Sequence, residues 1–171
     1  MLGSAETSDS LLTELRQLLV DGFGDFPEED WGHTTGGWRV VAFDGDEPVS
    51  HAAVVPRTIQ VARRAFDAGY VEGVATRPGR QRAGLGSLVM SEATRLVQDR
   101  HDLGVLSTGL HDFYERFGWQ RWQGAAFVRD GDRLVRTEDE DDAIMVLRCG
   151  PSRDIDLTGP ISCDRRSGDD W

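Results

Sequence analysis

The segment Gly69-Tyr70-Val71-Glu72-Gly73-Val74-Ala75-Thr76 is followed, after four residues, by the turn Gln81-Arg82-Ala83-Gly84-Leu85-Gly86. The first segment is mostly apolar or small, which predicts a strand, and a helical pattern begins at the turn. Two glycines spaced one residue apart let the backbone approach an anion closely. The helix that follows directs its N–H groups and the positive end of its dipole to the same place. This order of strand, glycine turn and helix predicts a pyrophosphate site.

The residues that are missing narrow the choice of phosphate ligand. The chain has no lysine, because all 19 of its basic residues are arginine, whereas a P-loop needs a lysine that reaches the terminal phosphates. Pyridoxal phosphate also needs a lysine, for its Schiff base. Val89 stands where a dinucleotide fingerprint has its third small residue, and no suitable acidic residue follows. P-loop and pyridoxal phosphate sites are therefore excluded, and a dinucleotide site is disfavoured.

Helical and strand patterns alternate along the chain. Apolar spacing and turn residues predict helices over 11–19 (after the cap Ser10), 27–33, 84–100 and 112–117, and strands over 38–43, 49–55, 57–62, 69–76, 103–107, 127–128, 134–135 and 143–147. The helix over 84–100 is predicted to face the sheet with Leu85, Leu88, Val89, Ala93, Leu96 and Val97. A strand, helix, strand unit implies a parallel pair with a right-handed crossover.

These elements predict a single α/β domain over residues 1–171. We expect a mixed central sheet, with a parallel strand pair at the pyrophosphate site, and a loose start over residues 1–9. The tail over 151–171 has little periodicity, and its composition predicts a loose terminus.

Composition favours a compact cytoplasmic enzyme without a metal. Hydrophobic residues make up 39% of the chain, and no segment has the pattern of a signal peptide or a membrane span. Cys149 and Cys163 are expected to be reduced thiols, and the four histidines show no ligand spacing, so we expect no metal site. The net charge of −11 argues against a nucleic-acid partner.

Acidic residues cluster in runs within 25–30, 138–142 and 169–170. From the net charge alone, solubility is the better explanation. The clustering favours a polycationic ligand if the runs converge on one cleft, although each run separately is typical of a solvated loop.

Two motifs resemble the signatures of the GNAT N-acetyltransferase superfamily. Gln81-x-x-Gly84-x-Gly86 resembles its acetyl-CoA pyrophosphate loop, and the segment Phe113-Tyr114-Glu115-Arg116-Phe117-Gly118-Trp119 resembles its short helix with a tyrosine near the coenzyme sulfur. From about Leu11 to the last residue, the chain also resembles aminoglycoside 2′-N-acetyltransferases. That second resemblance is carried by residues 25–26, 30–31, 33–34, 36–37, 51–54, 69–75, 163–164 and 168–171.

The resemblance implies acetyl-CoA as the cosubstrate. Backbone N–H groups of the glycine turn are expected to hold its pyrophosphate, namely those of Gln81, Arg82, Ala83, Gly84, Leu85 and Gly86. The strand edge at Val74, Ala75 and Thr76 is expected to pair with the pantetheine arm, as an added strand does. The N–H of Val74 is the expected donor to the thioester carbonyl.

Three groups are candidates for the proton transfers. The resemblance assigns Tyr114 as the acid for the departing sulfur, whereas an aromatic residue in a short apolar helix is usually a core residue. Glu72 is the candidate base for the amine, because a carboxylate in an apolar strand is costly unless it is solvated or paired. The alternative for Glu72 is an outward-facing strand residue. The C-terminal carboxylate of Trp171 is a second candidate base.

The resemblance implies that the acceptor is the 2′-amine of an aminoglycoside antibiotic, whose acetylation confers resistance. The expected acceptor contacts are Asp25, Asp30, Glu72, Gly73, Ser107, Asp141, Asp169 and Trp171, with Glu140 or Asp142 as alternatives to Asp141. It also implies that the tail folds back over the acceptor and that the protein is a homodimer. Two alternatives stay open: acetylation of another polyamine, amino sugar or protein amine, and a non-catalytic sensor that binds coenzyme A.

Overall fold

The computed structural model describes residues 2–3 and 7–171. Its helices are α1 (Asp9–Phe23), α2 (Glu28–His33), α3 (Leu85–Arg100) and α4 (His111–Glu115). Its strands are β1 (Leu2–Gly3), β2 (Trp38–Asp44), β3 (Glu47–Val61), β4 (Arg64–Thr76), β5 (Leu103–Ser107), β6 (Gln120–Arg121), β7 (Ala126–Asp130), β8 (Arg133–Arg136), β9 (Ile144–Arg148) and β10 (Ile161–Asp164). The described residues form two compact units, and β3, β4 and α3 each contribute to both.

The first unit comprises the described residues up to Val55 together with Val71–Arg95. Its helix α1 begins at Asp9, and Ser8 caps it by accepting a hydrogen bond from the Leu11 N–H at 3.3 Å. Ser10 is thus inside the helix, and its predicted role as the cap is wrong. Of the predicted loose start over 1–9, residues 1 and 4–6 lie outside the described residues, whereas Asp9 is helical.

A small apolar core holds α1 in the first unit. Leu18 and Leu19 are buried with Ala75 of β4, and Phe26 and Trp31 pack against them. The predicted hairpin is present as β2 and β3, with Trp38 opposite Val54 and Asp44 opposite Glu47.

The second unit comprises Pro56–Tyr70 and Leu96–Trp171. Its strands follow the order β6-β9-β5-β4-β3-β10-β7-β8. Strands β4 and β5 are parallel, with Ala68 opposite Leu103 and Tyr70 opposite Val105. Because α3 lies between these strands in sequence, the predicted strand, helix, strand unit is confirmed. The mixed sheet also contains antiparallel pairs, such as β5 with β9.

The tail contains a strand that composition did not predict. Strand β10 lies between β3 and β7, antiparallel to β3 and parallel to β7. Ile161 and Cys163 are fully buried. The prediction of a loose terminus is therefore wrong for 161–164, because two strands distant in sequence supply hydrogen bonds and an apolar surface.

The buried face of α3 differs from the predicted stripe at one position. Leu88 is 61% exposed, whereas the neighbouring Met90 is fully buried with Val89 and Ala93. Leu88 lies at the flank of the helical stripe, so the prediction that it faces the sheet is wrong. None of the helices in the described ranges is both long enough and apolar enough to cross a membrane.

Candidate active site

The glycine turn of the first unit joins β4 to α3. Residues 81–84 are exposed, and α3 begins at Leu85. Gly84 has a φ of +81° and Arg82 a φ of +62°, so the turn uses left-handed backbone at both positions. The first turn of α3 contains no acidic residue. The predicted anion site thus lies at an exposed helix start whose first turn has no acidic side chain, and it stays a prediction.

Arginines of this loop differ in what they contact. Arg77 forms ion pairs of 3.1 Å with Asp21 and with Glu47, and Arg80 pairs with Asp44. Arg82 is exposed beside Gly84. Arg77 and Arg80 therefore brace the loop through ion pairs, and the exposed Arg82 adds a further positive charge beside Gly84.

Strand β4 departs from regular strand geometry at Gly73. Its φ is +55°, in the left-handed region that favours glycine. A Cβ atom added at Gly73 would lie 3.1 Å from Cγ2 of Thr34. Glu72 and Val74, the predicted base and oxyanion donor, flank this kink, and all three residues are partly exposed.

His51 fixes the carbonyl of Gly73. The His51 side chain is fully buried, and its Nδ1 lies 2.8 Å from the Gly73 oxygen. Burial lowers the pKa of His51 to about 4, and the Arg39 guanidinium acts in the same direction, whereas the bond to Gly73 opposes them. The imidazole is therefore neutral at pH 7, with Nδ1–H donating to Gly73 and Nε2 accepting from Arg39 Nη1 at 3.3 Å.

Arg39 is a buried cation held by dipoles. It is 1% exposed, and burial lowers its pKa. Nη1 also donates to Thr34 Oγ1 at 3.1 Å, and the guanidinium lies 4.9 Å from the centre of the Trp31 ring. Thr34 is the C-cap of α2, so the cation lies near the negative end of that helix dipole. The aromatic face and the helix end offset part of its desolvation.

Two of the predicted acceptor residues, Asp25 and Asp30, lie in the first unit near helix α2. Asp25 is exposed in the loop before α2. Asp30 lies in α2, with its carboxylate 3.9 Å from Nδ1 of His33. Glu28, in the same acidic run, pairs with Arg16 at 2.5 Å. Asp25 and Asp30 are thus on or beside α2, whose end contacts Arg39 through Thr34.

Tyr114 lies on α4 in the second unit. It is 8% exposed, and burial raises its pKa to about 12, whereas a hydrogen bond with the Thr108 side chain acts in the opposite direction. The hydroxyl therefore keeps its proton at pH 7, as a proton donor must before the reaction. Thr108 directly follows β5, and β5 is held in place by its parallel pairing with β4.

An acidic cavity of about 560 Å³ lies within the second unit. It is lined by Arg136, Thr137, Glu138, Asp139, Glu140, Gly168, Asp169, Asp170 and Trp171. Five of these side chains are acidic. Two of the acidic runs, 138–140 and 169–170, thus converge on one cavity. We call it the acidic cavity.

Glu140, rather than Asp141, lines this cavity. Glu140 Oε2 accepts a hydrogen bond from Ser107 Oγ at 2.9 Å, which links two predicted acceptor residues. Burial raises the pKa of Glu140, the bond from Ser107 lowers it, and the carboxylates of Asp169 and Asp139 raise it. Asp141 instead pairs with Arg136. The structure thus places Asp141 outside the cavity lining and on the cavity's arginine, where it offsets that positive charge.

Trp171 is held at the cavity by its own tail. Its side chain is 4% exposed, and its backbone N–H donates to Asp169 Oδ1 at 3.2 Å. Arg166 Nη2 donates to the Trp171 oxygen at 3.4 Å. The predicted acceptor residues Asp169 and Trp171 are therefore brought together with Glu140, which was the predicted alternative to Asp141.

Comparison with known proteins identifies the family. Residues 6–122 match the model of the acetyltransferase (GNAT) domain. The chain belongs to the GNAT acetyltransferase family. It is 34% identical, over 161 residues, to an aminoglycoside 2′-N-acetyltransferase from Mycolicibacterium fortuitum, and the alignment covers 91% of this chain and 83% of that relative. The resemblance seen in the sequence is confirmed.

Solved structures share the GNAT fold. The N-acetyltransferase YhbS from Escherichia coli, solved in complex with CoA, has a TM-score of 0.66 at 15% identity, over 92% of this chain and 86% of that one. Eis1 from Mycobacterium abscessus has a TM-score of 0.61 at 15% identity, over 71% of this chain. This GNAT chain spans only 32% of the length of Eis1, so Eis1 is a much longer protein.

Sequence reasoning about this GNAT chain missed several residues of the two sites. Arg39 and His51 were not predicted to hold Gly73, and Thr108 was not predicted to contact Tyr114. Glu138, Asp139 and Asp170 were noticed only as parts of acidic runs. The available signal was composition: His51 stands in an otherwise small and apolar strand segment, which indicates a buried histidine.

The buried His51 predicts a pH-dependent stability. Its pKa of about 4 lies below the ordinary 6.5, so between these values the unfolded chain binds the proton and the folded chain does not. The stability that depends on neutral His51 is present above pH 6.5 and is lost as the pH falls towards 4. The free energy of unfolding of the wild type should exceed that of His51→Gln at pH 7, and this difference should shrink by about 3 kcal/mol by pH 4.

Denaturant unfolding of the wild type and His51→Gln at several pH values measures the difference in their free energies of unfolding. The other titrating groups are present in both proteins, so their contributions cancel in this difference. The control Arg63→Gln, at an exposed position in the turn between β3 and β4, should follow the wild type across the range. A difference between wild type and His51→Gln that does not change with pH would contradict the assignment of a buried, neutral imidazole.

Proposed function

We propose that this GNAT enzyme transfers an acetyl group from acetyl-CoA to the 2′-amine of aminoglycoside antibiotics, and so is capable of conferring resistance to them. The observation that carries the proposal is the acidic cavity, in a chain 34% identical to an aminoglycoside 2′-N-acetyltransferase. Aminoglycosides carry several ammonium groups, and closely spaced carboxylates attract such a polycation.

The glycine turn supplies the coenzyme end of this proposal. The exposed turn from Gln81 to Gly84 and the start of α3 would bind the pyrophosphate of acetyl-CoA through backbone N–H groups. Val74, Ala75 and Thr76 would pair with the pantetheine amides. The related fold of YhbS was solved with CoA, which supports a coenzyme A ligand for the family.

The reaction needs one base and one acid. The amine nitrogen attacks the thioester carbonyl carbon, so that a C–N bond forms and the C–S bond breaks. Glu72 or the carboxylate of Trp171 takes the proton that the amine loses. Tyr114 gives its proton to the departing sulfur and regains one from solvent, and the Val74 N–H stabilises the carbonyl oxygen as it gains charge.

The acceptor residues have distinct roles in the proposal. Glu140 and Asp169 line the acidic cavity and would bind ammonium groups, and Ser107 orients Glu140. Asp141 offsets Arg136, which leaves the cavity negative. Asp25, Asp30 and the Gly73 carbonyl are the further acceptor contacts that the family relationship suggests.

A matched pair of antibiotics tests the proposal. Kanamycin B has an amine at the 2′ carbon, and kanamycin A has a hydroxyl group at that carbon. With acetyl-CoA and purified enzyme, we expect one acetyl group to be added to kanamycin B, located on the 2′ nitrogen by NMR, and no product from kanamycin A. Acetylation of kanamycin A, or of another nitrogen of kanamycin B, would contradict the 2′ assignment.

Two other outcomes favour different functions. Turnover of a linear polyamine, an amino sugar or a protein N-terminus without turnover of kanamycin B would indicate a GNAT enzyme with another acceptor. Binding of CoA without acetylation of any amine would indicate a sensor.

Substitution of Tyr114 tests its role as the acid. Tyr114→Phe removes the buried hydroxyl and keeps the ring, so kcat should fall by about a hundredfold, within the range of general acid catalysis. The KM for acetyl-CoA should stay within about twofold, since the ring still packs in place. Steady-state kinetics with kanamycin B measure both, and an unchanged kcat would remove the assignment.

A further inference from the structure

Residues 164–171 form a tail segment that begins at Asp164, the last residue of strand β10. Beyond Asp164 this segment has no regular secondary structure, yet it supplies Gly168, Asp169, Asp170 and Trp171 to the acidic cavity. It places two acidic side chains, Asp169 and Asp170, beside the acidic run 138–140. Mutual repulsion of these charges favours an open tail, so specific contacts must hold it closed.

Arg57 of β3 bridges the two ends of the tail segment. Its Nη2 atom donates to the carbonyl of Asp164 at 3.2 Å and to the carbonyl of Asp170 at 2.8 Å. These carbonyls lie at the start and near the end of the segment. One guanidinium thus closes the loop between them, with charge-assisted hydrogen bonds.

The Arg57 side chain is itself held in place. Its guanidinium lies 4.6 Å from the centre of the ring of Tyr70, which is 1% exposed. The buried thiol of Cys163 donates to the same Asp170 carbonyl at 3.2 Å. Burial raises the pKa of Cys163 to about 11, so the thiol keeps the proton that this bond requires. Arg57 therefore contacts the tail while its guanidinium rests on the buried ring of Tyr70.

Arg165 and Arg166 are themselves residues of the tail and contact its other residues. Arg166 donates from its backbone N–H to Asp170 Oδ1 at 2.9 Å and from Nε to the Asp169 carbonyl at 2.6 Å. Arg165 lies 3.5 Å from the Asp170 carboxylate. Arg165 also attaches the start of the tail to β7, because its backbone N–H donates to the Arg129 carbonyl at 2.9 Å and its Nε lies 3.4 Å from the Asp130 carboxylate. Arg129 in turn pairs with Asp164 at 2.7 Å. Arg57 differs from these arginines of the tail and of β7 in that it joins a strand to Asp170, near the end of the tail.

We propose that Arg57 is a positioning residue for the acceptor, because it holds the tail segment as one wall of the acidic cavity. The expected effect of Arg57 on turnover rests on the proposed function, because that function makes the acidic cavity the acceptor site. The expected effect of Arg57 on the tail does not rest on it, because closure of the tail is a property of the free protein.

The tail is tested first, without any acceptor. Carboxypeptidase A removes aromatic C-terminal residues, and the release of Trp171 is followed by mass spectrometry. Trp171 should be released at least about tenfold faster from Arg57→Ala than from the wild type, because an open tail exposes the terminus. Arg57→Lys should be intermediate, since an ammonium replaces only part of the planar donor geometry.

The matched control is Arg63→Ala, which removes the same charge from an exposed position in the turn between β3 and β4. It should behave as the wild type. Hydrogen exchange of the amides of 165–170 should increase in Arg57→Ala and remain unchanged in Arg63→Ala. If Arg57→Ala does not fold, Arg57→Lys decides the outcome.

Kinetics then test the effect on the acceptor. In Arg57→Ala the KM for kanamycin B, or for whichever amine the wild type acetylates, should rise at least about tenfold, and the KM for acetyl-CoA should stay within about twofold. A tail as protected in both Arg57 variants as in the wild type would overturn the proposal. An opened tail with an unchanged acceptor KM would overturn the role of the tail as a wall of the acceptor site.

Discussion

The hydrogen bond from His51 to the Gly73 carbonyl holds β4 at its left-handed kink, and the functional residues of the first unit are arranged around it. The 2.8 Å bond needs a neutral imidazole with its proton on Nδ1, and Arg39 selects that state by donating to Nε2. Arg39 in turn is kept by the end of α2 and the Trp31 ring. A buried cation thereby fixes an uncharged carbonyl between the candidate base Glu72 and the candidate oxyanion donor Val74.

Whereas the first unit buries the cation Arg39, the second unit gathers negatively charged side chains. The acidic cavity gathers five acidic side chains, and its own arginine is paired with Asp141. Partial burial raises the pKa of Glu140 most, and the nearby carboxylates of Asp169 and Asp139 act in the same direction. A polycationic ligand would offset the repulsion between these carboxylates. Arginines outside the cavity lining hold the tail, and among them Arg57 joins strand β3 to the Asp170 carbonyl.

The sequence pattern predicted those elements whose structure depends on neighbouring residues in the chain. The glycine turn and β5 follow from turn residues and from a short apolar run, and Leu103–Ser107 matches its predicted bounds. Strand β10 could not be predicted, because its partners β3 and β7 are distant in sequence. In sequence, Arg39 and Arg57 resemble surface arginines, and only tertiary contacts show them holding backbone carbonyls or buried side chains. The choice between Glu140 and Asp141 depends on side-chain direction after the short 3-10 turn Glu138–Glu140, which sequence does not encode locally.

The claim that the acidic cavity binds the cationic acceptor is tested most directly by a crystal structure of the enzyme with CoA and kanamycin B. We expect electron density for the antibiotic in the acidic cavity, with ammonium groups within hydrogen-bond distance of Glu140 and Asp169. Density for the antibiotic elsewhere on the protein, with the acidic cavity holding only solvent at a saturating concentration, would contradict it.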